Sequence, residues 1–176
     1  RRMVLREMMR NQLRETEDFL ALWTTWEPNT IDTLDRQYVN RPGSSIIGNF
    51  APMYYKQNGQ IVMDESIETD AEAIFAGSYY QIPKKTRKPY IMEPYYYAYK
   101  GSSEGEVLET SLVYPIISGG KFMGVLGADI QLEHFQSIVD QVKPNSQSIS
   151  FLLSNEGIYI TNPSPEFVGK NTADIF

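Results

Sequence analysis

The chain has 176 residues, of which 41 % are hydrophobic and 22 % are charged, and 16 basic against 22 acidic side chains give a net charge of −6. This composition supports the core of one domain, or of one domain with part of another, and argues against disorder. The acidic balance disfavours nucleic acid as a partner, the lack of Cys removes disulfides and thiol chemistry, and no apolar run reaches the ~20 residues that cross a bilayer.

The N-terminal segment predicts one long helix over residues 1–27. Six side chains, all apolar except Thr16, recur there at steps of three or four residues, which is the spacing of one helical face: Leu5, Met9, Leu13, Thr16, Leu20 and Trp23. No Gly or Pro interrupts this pattern before Pro28. A one-sided helix of this length needs a partner surface, so we expect it to pack on the domain core, on a second copy of the chain, or on both.

A hairpin and a short helix are expected after a loop-rich stretch. Asn58-Gly59 lies between two apolar runs and predicts a β-hairpin over about 50–63, because this dipeptide favours the tight turns that join antiparallel strands. A short helix over residues 69–80 is expected to begin at Thr69 or Asp70, since both side chains can cap a helix N-terminus.

The second half of the chain predicts a three-stranded meander and a helix. Its strands cover about 90–100, 106–118 and 121–130, and short Gly-rich turns at 101–105 and 118–120 make them antiparallel neighbours. A helix over 132–143 follows and ends at Pro144. The resulting fold class is α+β, with the long N-terminal helix packed on a five-stranded antiparallel sheet. An apolar, Asn/Gly-turn, apolar pattern over 148–160 opens a second unit of similar type.

Tyr is abundant, with 12 residues in the chain. Any single Tyr is explained by the preference of aromatic rings for strand surfaces. The group as a whole predicts that at least one ring lines a pocket, since the hydroxyl of a buried Tyr needs a hydrogen-bond partner.

Several stretches resemble a double Cache domain, which is the extracytoplasmic sensor module of bacterial chemoreceptors, histidine kinases and some diguanylate cyclases: 26–35, 79–85, 90–95 and, most specifically, Tyr114-Pro-Ile-Ile-Ser-Gly-Gly-Lys-Phe-Met-Gly-Val-Leu-Gly-Ala-Asp-Ile130. The resemblance covers nearly the whole chain. In the last stretch, Gly124 and Gly127 lack side chains on an otherwise bulky strand. Glycine weakens a strand unless something approaches closely, so we expect a ligand or a packed aromatic ring there.

The resemblance implies three parts: a helix and connecting loop over 1–40, a PAS-like membrane-distal unit over 41–143, and the beginning of a membrane-proximal unit over 144–176. It implies that the distal unit binds a small polar ligand, such as an amine or an amino-acid-like molecule, and that the signal crosses the membrane to a chemotaxis or kinase output. The full-length protein would then be anchored in the inner membrane, with this domain in the periplasm. A homodimer through the N-terminal helix follows from its one-sided apolar face if the sheet does not cover that face.

When this sequence is matched to the motifs of the family it resembles, the candidate site residues are Tyr79, Tyr80, Tyr95 and Asp129. Tyr97 and Tyr114 are further candidates. The position of the family's Arg is Gly77, so the bidentate clamp for an α-carboxylate is missing. The aromatic and acidic half that remains suits an ammonium group or another hydrogen-bond donor. On the local pattern alone, Asp129 is equally well explained as a turn or near-cap residue before the helix at 132.

No enzymatic motif is present, neither a Gly-x-Ser-x-Gly elbow, nor a Gly-Lys-Ser/Thr phosphate loop, nor His-Glu-x-x-His. We therefore expect no catalysis, no cofactor and no metal site, and the single His134 has no second His or Cys beside it. The alternative from another class is a structural or dimerisation spacer without a ligand. Stabilisation of the folded domain by small molecules would separate the two hypotheses.

Overall fold

The computed structural model describes residues 1–65, 70–100, 105–142, 145 and 147–175. A helix and a large antiparallel sheet dominate it, which confirms the predicted α+β class. The elements are α1 (Arg2–Glu15), β1 (Ala21–Trp26), β2 (Met53–Gln57), β3 (Gln60–Asp64), α2 (Ala73–Ala76), α3 (Ser78–Thr86), β4 (Tyr90–Ile91), β5 (Tyr95–Ala98), β6 (Glu106–Ser118), β7 (Lys121–Gln131), α4 (Leu132–Val139), β8 (Leu152–Leu153) and β9 (Tyr159–Thr161).

The main sheet has seven strands in the order β3-β2-β1-β7-β6-β4, and β5 also pairs with β6. All of these pairings are antiparallel. The sheet is larger than the five strands predicted, because β1 joins it and the expected strand over 90–100 is divided into β4 and β5. A separate small sheet contains β8 and β9, and the assignment of residues 144–176 to a second unit stays a prediction.

The predicted helix over 1–27 is wrong beyond Glu15. Thr16 has extended backbone angles, and Ala21–Trp26 form β1 at the centre of the sheet between β2 and β7. The Thr-Thr pair and the two Trp residues of this segment suit a pleated strand better than a helix. The helical stripe is real for Met9 and Leu13, which are buried, but its continuation to Leu20 and Trp23 is a coincidence of spacing.

The local turns fold as the sequence predicts. Asn58 and Gly59 both have positive φ and connect β2 to β3, and Gly119-Gly120 connect β6 to β7 in the same way. The expected helix over 69–80 is instead α2 and α3, because extended backbone at Gly77 interrupts it. The predicted start at Thr69 and the turn over residues 101–104 lie outside the described residues, but the alternative start at Asp70 is wrong, since α2 begins at Ala73. The helix predicted over 132–143 is shorter than expected and ends at Val139.

The two faces of the sheet are covered differently. Leu22, Tyr54 and Ala128 pack against Met9 and Leu13 of α1 on one face. Side chains of opposite parity pack under α3 on the other face, and they include Trp23, Val113 and Val125. This second face carries the cavity described below. Among the described residues, no helix has the length and apolar character needed to cross a membrane.

Candidate functional site

A cavity of about 340 Å³ lies on the face of the sheet opposite α1. Strand β1, the segment that leads into β2, helix α3, strand β5 and strand β7 supply its walls. Its lining side chains are mostly aromatic or apolar, with one acid among them: Trp23, Thr24, Thr25, Ala51, Pro52, Met53, Tyr79, Met92, Tyr95, Tyr97 and Asp129.

Strand alternation decides which tyrosines reach the cavity. Tyr95 and Tyr97 lie two residues apart on β5 and share its inner face, while Tyr96 between them is exposed. Successive side chains on a strand point to opposite faces, so a pair at i and i+2 lines the same surface. The rings of Tyr95 and Tyr97 meet edge to face, with their centroids 6.5 Å apart.

Asp129 is the polar centre of the cavity, and three neighbouring groups donate hydrogen bonds to it. The Trp23 indole N–H and the Ser111 hydroxyl donate to Oδ1, each at 2.7 Å, and the Tyr99 hydroxyl lies 3.1 Å from Oδ2. Only 1 % of Asp129 is exposed, so its charge depends on these donors rather than on bulk water. The interpretation of Asp129 as a turn or cap residue is therefore wrong, since it lies within β7 and faces the cavity.

A short relay links the hydroxyl of Tyr95 to this carboxylate. The Tyr95 hydroxyl lies 2.6 Å from the Ser111 hydroxyl, which donates its own hydrogen to Asp129. Tyr95 must then be the donor to Ser111, because a hydroxyl has a single hydrogen to give. Burial raises the pKa of Tyr95, so the phenol stays protonated and remains a donor throughout the neutral range.

Burial also determines the titration of the acids in this region. Burial raises the pKa of Asp129 to about 6, against the lowering effect of the hydrogen bonds from Trp23, Ser111 and Tyr99. Behind it, burial and the neighbouring charge of Asp129 raise the pKa of Glu109 to about 8. Two acids this close cannot both ionise freely, because each disfavours the charge of the other.

Gly127 makes room for the indole that bonds to Asp129. Trp23 on β1 is directly opposite Gly127 on β7, and a Cβ atom at Gly127 would lie 2.1 Å from the indole ring. Of the two close neighbours expected at Gly127, a ligand or a packed aromatic ring, the structure therefore shows the aromatic ring, that of Trp23. At Gly124 the neighbour is the backbone of β1 instead, since a Cβ there would lie 2.4 Å from the Thr25 carbonyl oxygen.

Tyr79 lies on α3 and forms another wall. Its ring meets the Trp23 ring edge to face at 5.3 Å, and its hydroxyl donates to the Ile74 carbonyl at 2.9 Å. The Tyr79 ring lies so close to Gly77 that the ring would have to move if Gly77 were replaced by the Arg of the family motif. A Cβ at Gly77 would lie 2.3 Å from the Tyr79 ring.

Four of the six predicted site residues line the cavity: Tyr79, Tyr95, Tyr97 and Asp129. Tyr80 does not, because α3 turns its ring into the core, where it packs between Phe75 and Phe122. Its hydroxyl donates to Glu27, which also pairs with Lys84.

Tyr114 is 63 % exposed and lies on the outer face of β6. Ser111 and Val113 are buried on the inner face, and Tyr114 has the opposite parity. The prediction that Tyr80 and Tyr114 belong to the site is therefore wrong for this cavity.

The sequence did not point to Trp23, Ser111, Tyr99 and Glu109, all of which surround Asp129. Trp23 was assigned to a helix, which hid its orientation. Tyr99 lies two residues after Tyr97 and continues the alternation of Tyr95 and Tyr97. Glu109 and Ser111 likewise alternate with Val113. The alternation of side chains along a strand could therefore have indicated the orientation of Tyr99, Glu109 and Ser111. Among the described residues, no group of three His, Asp or Glu side chains is placed to hold a metal ion.

Comparison with known proteins gives the family of this fold. Residues 5–137, which include the whole cavity, match the family described as "Methyl-accepting chemotaxis protein-like, first PDC sensor domain". The chain belongs to this family of sensor domains. The PDC sensor domain is a signalling module, and this membership confirms the resemblance to double Cache sensors.

Individual relatives of this PDC sensor domain are receptors. The methyl-accepting chemotaxis protein TlpQ of Pseudomonas aeruginosa is 30 % identical over 148 residues, which are 78 % of this chain and 20 % of TlpQ. The extracellular domain of mmHK1S-Z3, described as a histidine kinase, is 30 % identical with a TM-score of 0.80, over 100 % of this chain and 61 % of that domain. A structure of methyl-accepting chemotaxis protein X is 27 % identical with a TM-score of 0.76, over 97 % and 61 % of the two chains.

This PDC sensor domain therefore spans about a fifth of TlpQ. It spans about three fifths of the two solved sensor domains.

Proposed function

We propose that this domain binds a small organic cation, such as a primary amine, in the cavity beside Asp129, and that binding is the input of a transmembrane receptor. One observation carries the proposal. Among the residues that the structure describes, the side chains that line the cavity include a buried acid, several aromatic rings and no Lys, Arg or His. A site of this composition attracts a positive charge and offers no cationic partner to a carboxylate.

The hydrogen bonds of Asp129 leave room for one more donor. A carboxylate has about four lone-pair sites. The described donors use two on Oδ1 and one on Oδ2. A ligand N–H that takes the remaining site on Oδ2 would form a charge-assisted hydrogen bond, which contributes about 1.5–3 kcal/mol.

Aromatic rings supply the second part of the recognition. A cation above a ring face gains roughly 0.5–2 kcal/mol, and Trp23, Tyr79, Tyr95 and Tyr97 present rings to the cavity. The thioethers of Met53 and Met92 offer apolar contact to a short carbon chain. Micromolar binding needs about −8 kcal/mol in total, so both kinds of contact are required.

The signalling role extends this binding function. Helix α3 and strand β5 both supply walls of the cavity, through Tyr79 and Tyr95, so a ligand that contacts both favours the arrangement in which they are close. A ligand shifts such an equilibrium only by its preference for one state. Each tenfold difference in affinity between the two states corresponds to about 1.4 kcal/mol. Family membership supports an extracytoplasmic location, a membrane anchor and a chemotaxis or kinase output.

Dimerisation through the N-terminal helix remains part of the proposal. Met3, Val4 and Met8 on α1 are exposed apolar side chains. They lie close together along the helix and offer a surface to a second copy.

A series of four-carbon compounds tests the ligand class, because its members have the same number of carbon atoms and differ in their polar or charged groups. We expect butylamine to raise the melting temperature, and butanol, butyrate and 2-aminobutyrate to raise it little or not at all. At a ligand concentration 100 times Kd, the stabilisation is about 2.7 kcal/mol. Differential scanning fluorimetry gives the shift, and titration calorimetry gives Kd.

The same series distinguishes the proposal from its alternatives. A larger shift with butyrate than with butylamine would contradict the choice of a cation. A melting temperature that stays unchanged with every compound of the series and with larger amines would favour a structural spacer without a ligand.

Tyr95 and Tyr96 form a matched pair of positions on the two faces of β5. Replacing Tyr95 by Phe removes the donor to Ser111, and we expect butylamine affinity to fall by about threefold to tenfold, as for the loss of one neutral hydrogen bond. Replacing the exposed Tyr96 by Phe should leave the affinity unchanged. Calorimetry on both variants checks this, and equal affinities would mean that the relay has no part in binding.

A further inference from the structure

Glu109 is a second buried acid next to the candidate site, and it does not line the cavity. It lies on β6, is 0 % exposed, and is on the same face as Ser111. Asp129 faces it from β7, and Tyr95 and Tyr99 face it from β5 and the residues just after β5. A buried acid that touches neither solvent nor ligand needs a physical explanation.

One phenol connects the two acids. The Tyr99 hydroxyl lies 2.8 Å from Oε2 of Glu109 and 3.1 Å from Oδ2 of Asp129. Both distances are those of hydrogen bonds, but a phenol has one hydrogen to donate. The other hydrogen bond therefore needs a hydrogen that belongs to one of the two carboxyl groups.

The surroundings of the two acids differ, and the difference locates this hydrogen. Asp129 accepts two further hydrogen bonds, from Trp23 and Ser111. Oε1 of Glu109 is buried and has no hydrogen-bond partner among the described residues. An ionised carboxylate is costly in such a place, whereas a neutral acid that donates to Tyr99 leaves only a carbonyl oxygen unpaired.

We propose that Glu109 is a neutral acid that donates its proton to the Tyr99 hydroxyl, and that a cation bound beside Asp129 drives this proton into the solvent, so that ligand affinity rises with pH. The second half of this inference rests on the proposed function. In this arrangement, Glu109 donates a hydrogen bond to the Tyr99 hydroxyl, and Tyr99 donates one to Asp129. A positive ligand at the end of this chain compensates a second negative charge, which the empty site cannot do.

The charged groups around Glu109 support this assignment. Helices α3 and α4 also pack against β6, yet Lys84 of α3 pairs with Glu27 and His134 of α4 pairs with Asp18. Lys100, which follows Tyr99, is exposed, as are Glu133 of α4 and Asp140 directly after α4. Burial and the charge of Asp129 raise the pKa of Glu109 to about 8, so its proton is present at neutral pH.

The first arm of the test needs no ligand. Carbon-13 labelling of the glutamate side chains lets NMR follow each carboxyl group as a function of pH. The Glu109→Gln variant identifies the signal of Glu109, and the exposed Glu106 on the same strand, replaced by Gln, is the matched control. We expect the midpoint of Glu109 to lie well above the usual value of about 4.3 and that of Glu106 to lie near it. A Glu109 midpoint in the ordinary range overturns the inference.

The second arm measures the proton that leaves. Butylamine stays positively charged between pH 5 and pH 9, because alkylammonium groups titrate near 10.4. Calorimetry in two buffers of different ionisation enthalpy counts the protons released on binding. Near pH 7, above the pKa of about 6 of Asp129 and below that of about 8 of Glu109, we expect a release that approaches one proton. This release corresponds to an affinity that rises by up to about tenfold per pH unit. Glu109→Gln keeps a donor to Tyr99 and should abolish the release.

The outcomes separate this inference from the proposed function. Binding of butylamine without proton release contradicts the coupling, whatever the midpoint of Glu109. A raised midpoint in a protein that binds no amine establishes the protonated Glu109 and contradicts the proposed cation ligand. If Glu109→Gln does not fold, the two-buffer measurement on the unmodified protein still decides the coupling.

Discussion

Replacing Arg2 by Ala should lower the free energy of unfolding by about 3–5 kcal/mol, the usual cost of removing one partner from a buried ion pair. Arg2 is 5 % exposed although it lies in the first turn of α1. Its guanidinium forms ion pairs with Asp32 and Asp35 and donates to the Ser44 hydroxyl at 3.1 Å and to the Gly48 carbonyl at 2.9 Å. It thereby joins α1 to the long connection between β1 and β2.

The cost arises from the groups that Arg2 leaves behind. Asp35 is 4 % exposed, so its carboxylate would lose its cation without gaining water. The guanidinium also lies 4.1 Å from the centroid of the Tyr38 ring, and this contact would be lost as well. Burial raises the pKa of Asp32, but the hydrogen bonds from Arg2 and from the Leu34 N–H lower it more, so the net shift is downward.

The pH dependence follows from the lowered pKa of Asp32. A lowered folded-state value stabilises the fold above the unfolded value, and this stabilisation is lost as the pH falls through the folded value. We therefore expect a weaker acid destabilisation in Arg2→Ala than in the unmodified protein.

Arg10→Ala is the matched control for Arg2→Ala, because Arg10 is on the same helix and pairs with Glu7 at the exposed surface. Exposed pairs of this kind contribute about 0–1 kcal/mol. Urea denaturation followed by circular dichroism gives the free energy of unfolding of both variants. Equal small losses would show that the Arg2 cluster does not support the fold.

The sequence predicted the parts of the fold that depend on local chemistry. The Asn58-Gly59 and Gly119-Gly120 turns determine their hairpins, since few other dipeptides take up two positive φ angles. The end of α1 depends on tertiary structure instead. Residues 21–26 can follow a helical stripe or an extended strand, and their place between β2 and β7 decides for the strand.

The candidate site could be predicted only in part for a related reason. The resemblance gave positions, and Tyr79, Tyr95, Tyr97 and Asp129 do line the cavity. Which face a position occupies depends on strand register and helix rotation. Tyr80 and Tyr114 were misplaced because one is turned into the core by α3 and the other has the outer parity of β6.

Glu109 shows a further limit of prediction from the sequence. Nothing in one sequence says that a Glu on β6 lies next to an Asp on β7, because the pairing of these strands brings them together. The bond through Tyr99 depends in addition on the residues that follow β5. The acid pair is therefore a product of sheet register.

Replacing Asp129 by Asn should weaken butylamine binding by about 10-fold to 150-fold, which corresponds to the 1.5–3 kcal/mol of a hydrogen bond to a charged group. Asn keeps the volume of Asp, so the cavity should keep its shape. Its amide oxygen can still accept from Trp23 and Ser111, and its NH₂ group would point toward Tyr99 and the ligand. A ligand ammonium would then meet a donor where it needs an acceptor.

The exposed Asp174 provides the control for this substitution, because Asp174→Asn removes the same charge far along the chain from β7. We expect Asp174→Asn to bind butylamine as the unmodified protein does, and both variants to melt cooperatively. Calorimetry at constant pH and ionic strength gives the two Kd values. If Asp129→Asn binds as tightly as Asp174→Asn, the ligand does not depend on the charge of Asp129. The acid would then serve to hold Trp23, Ser111 and Tyr99 in place, and the cation would have to be sought elsewhere on the domain.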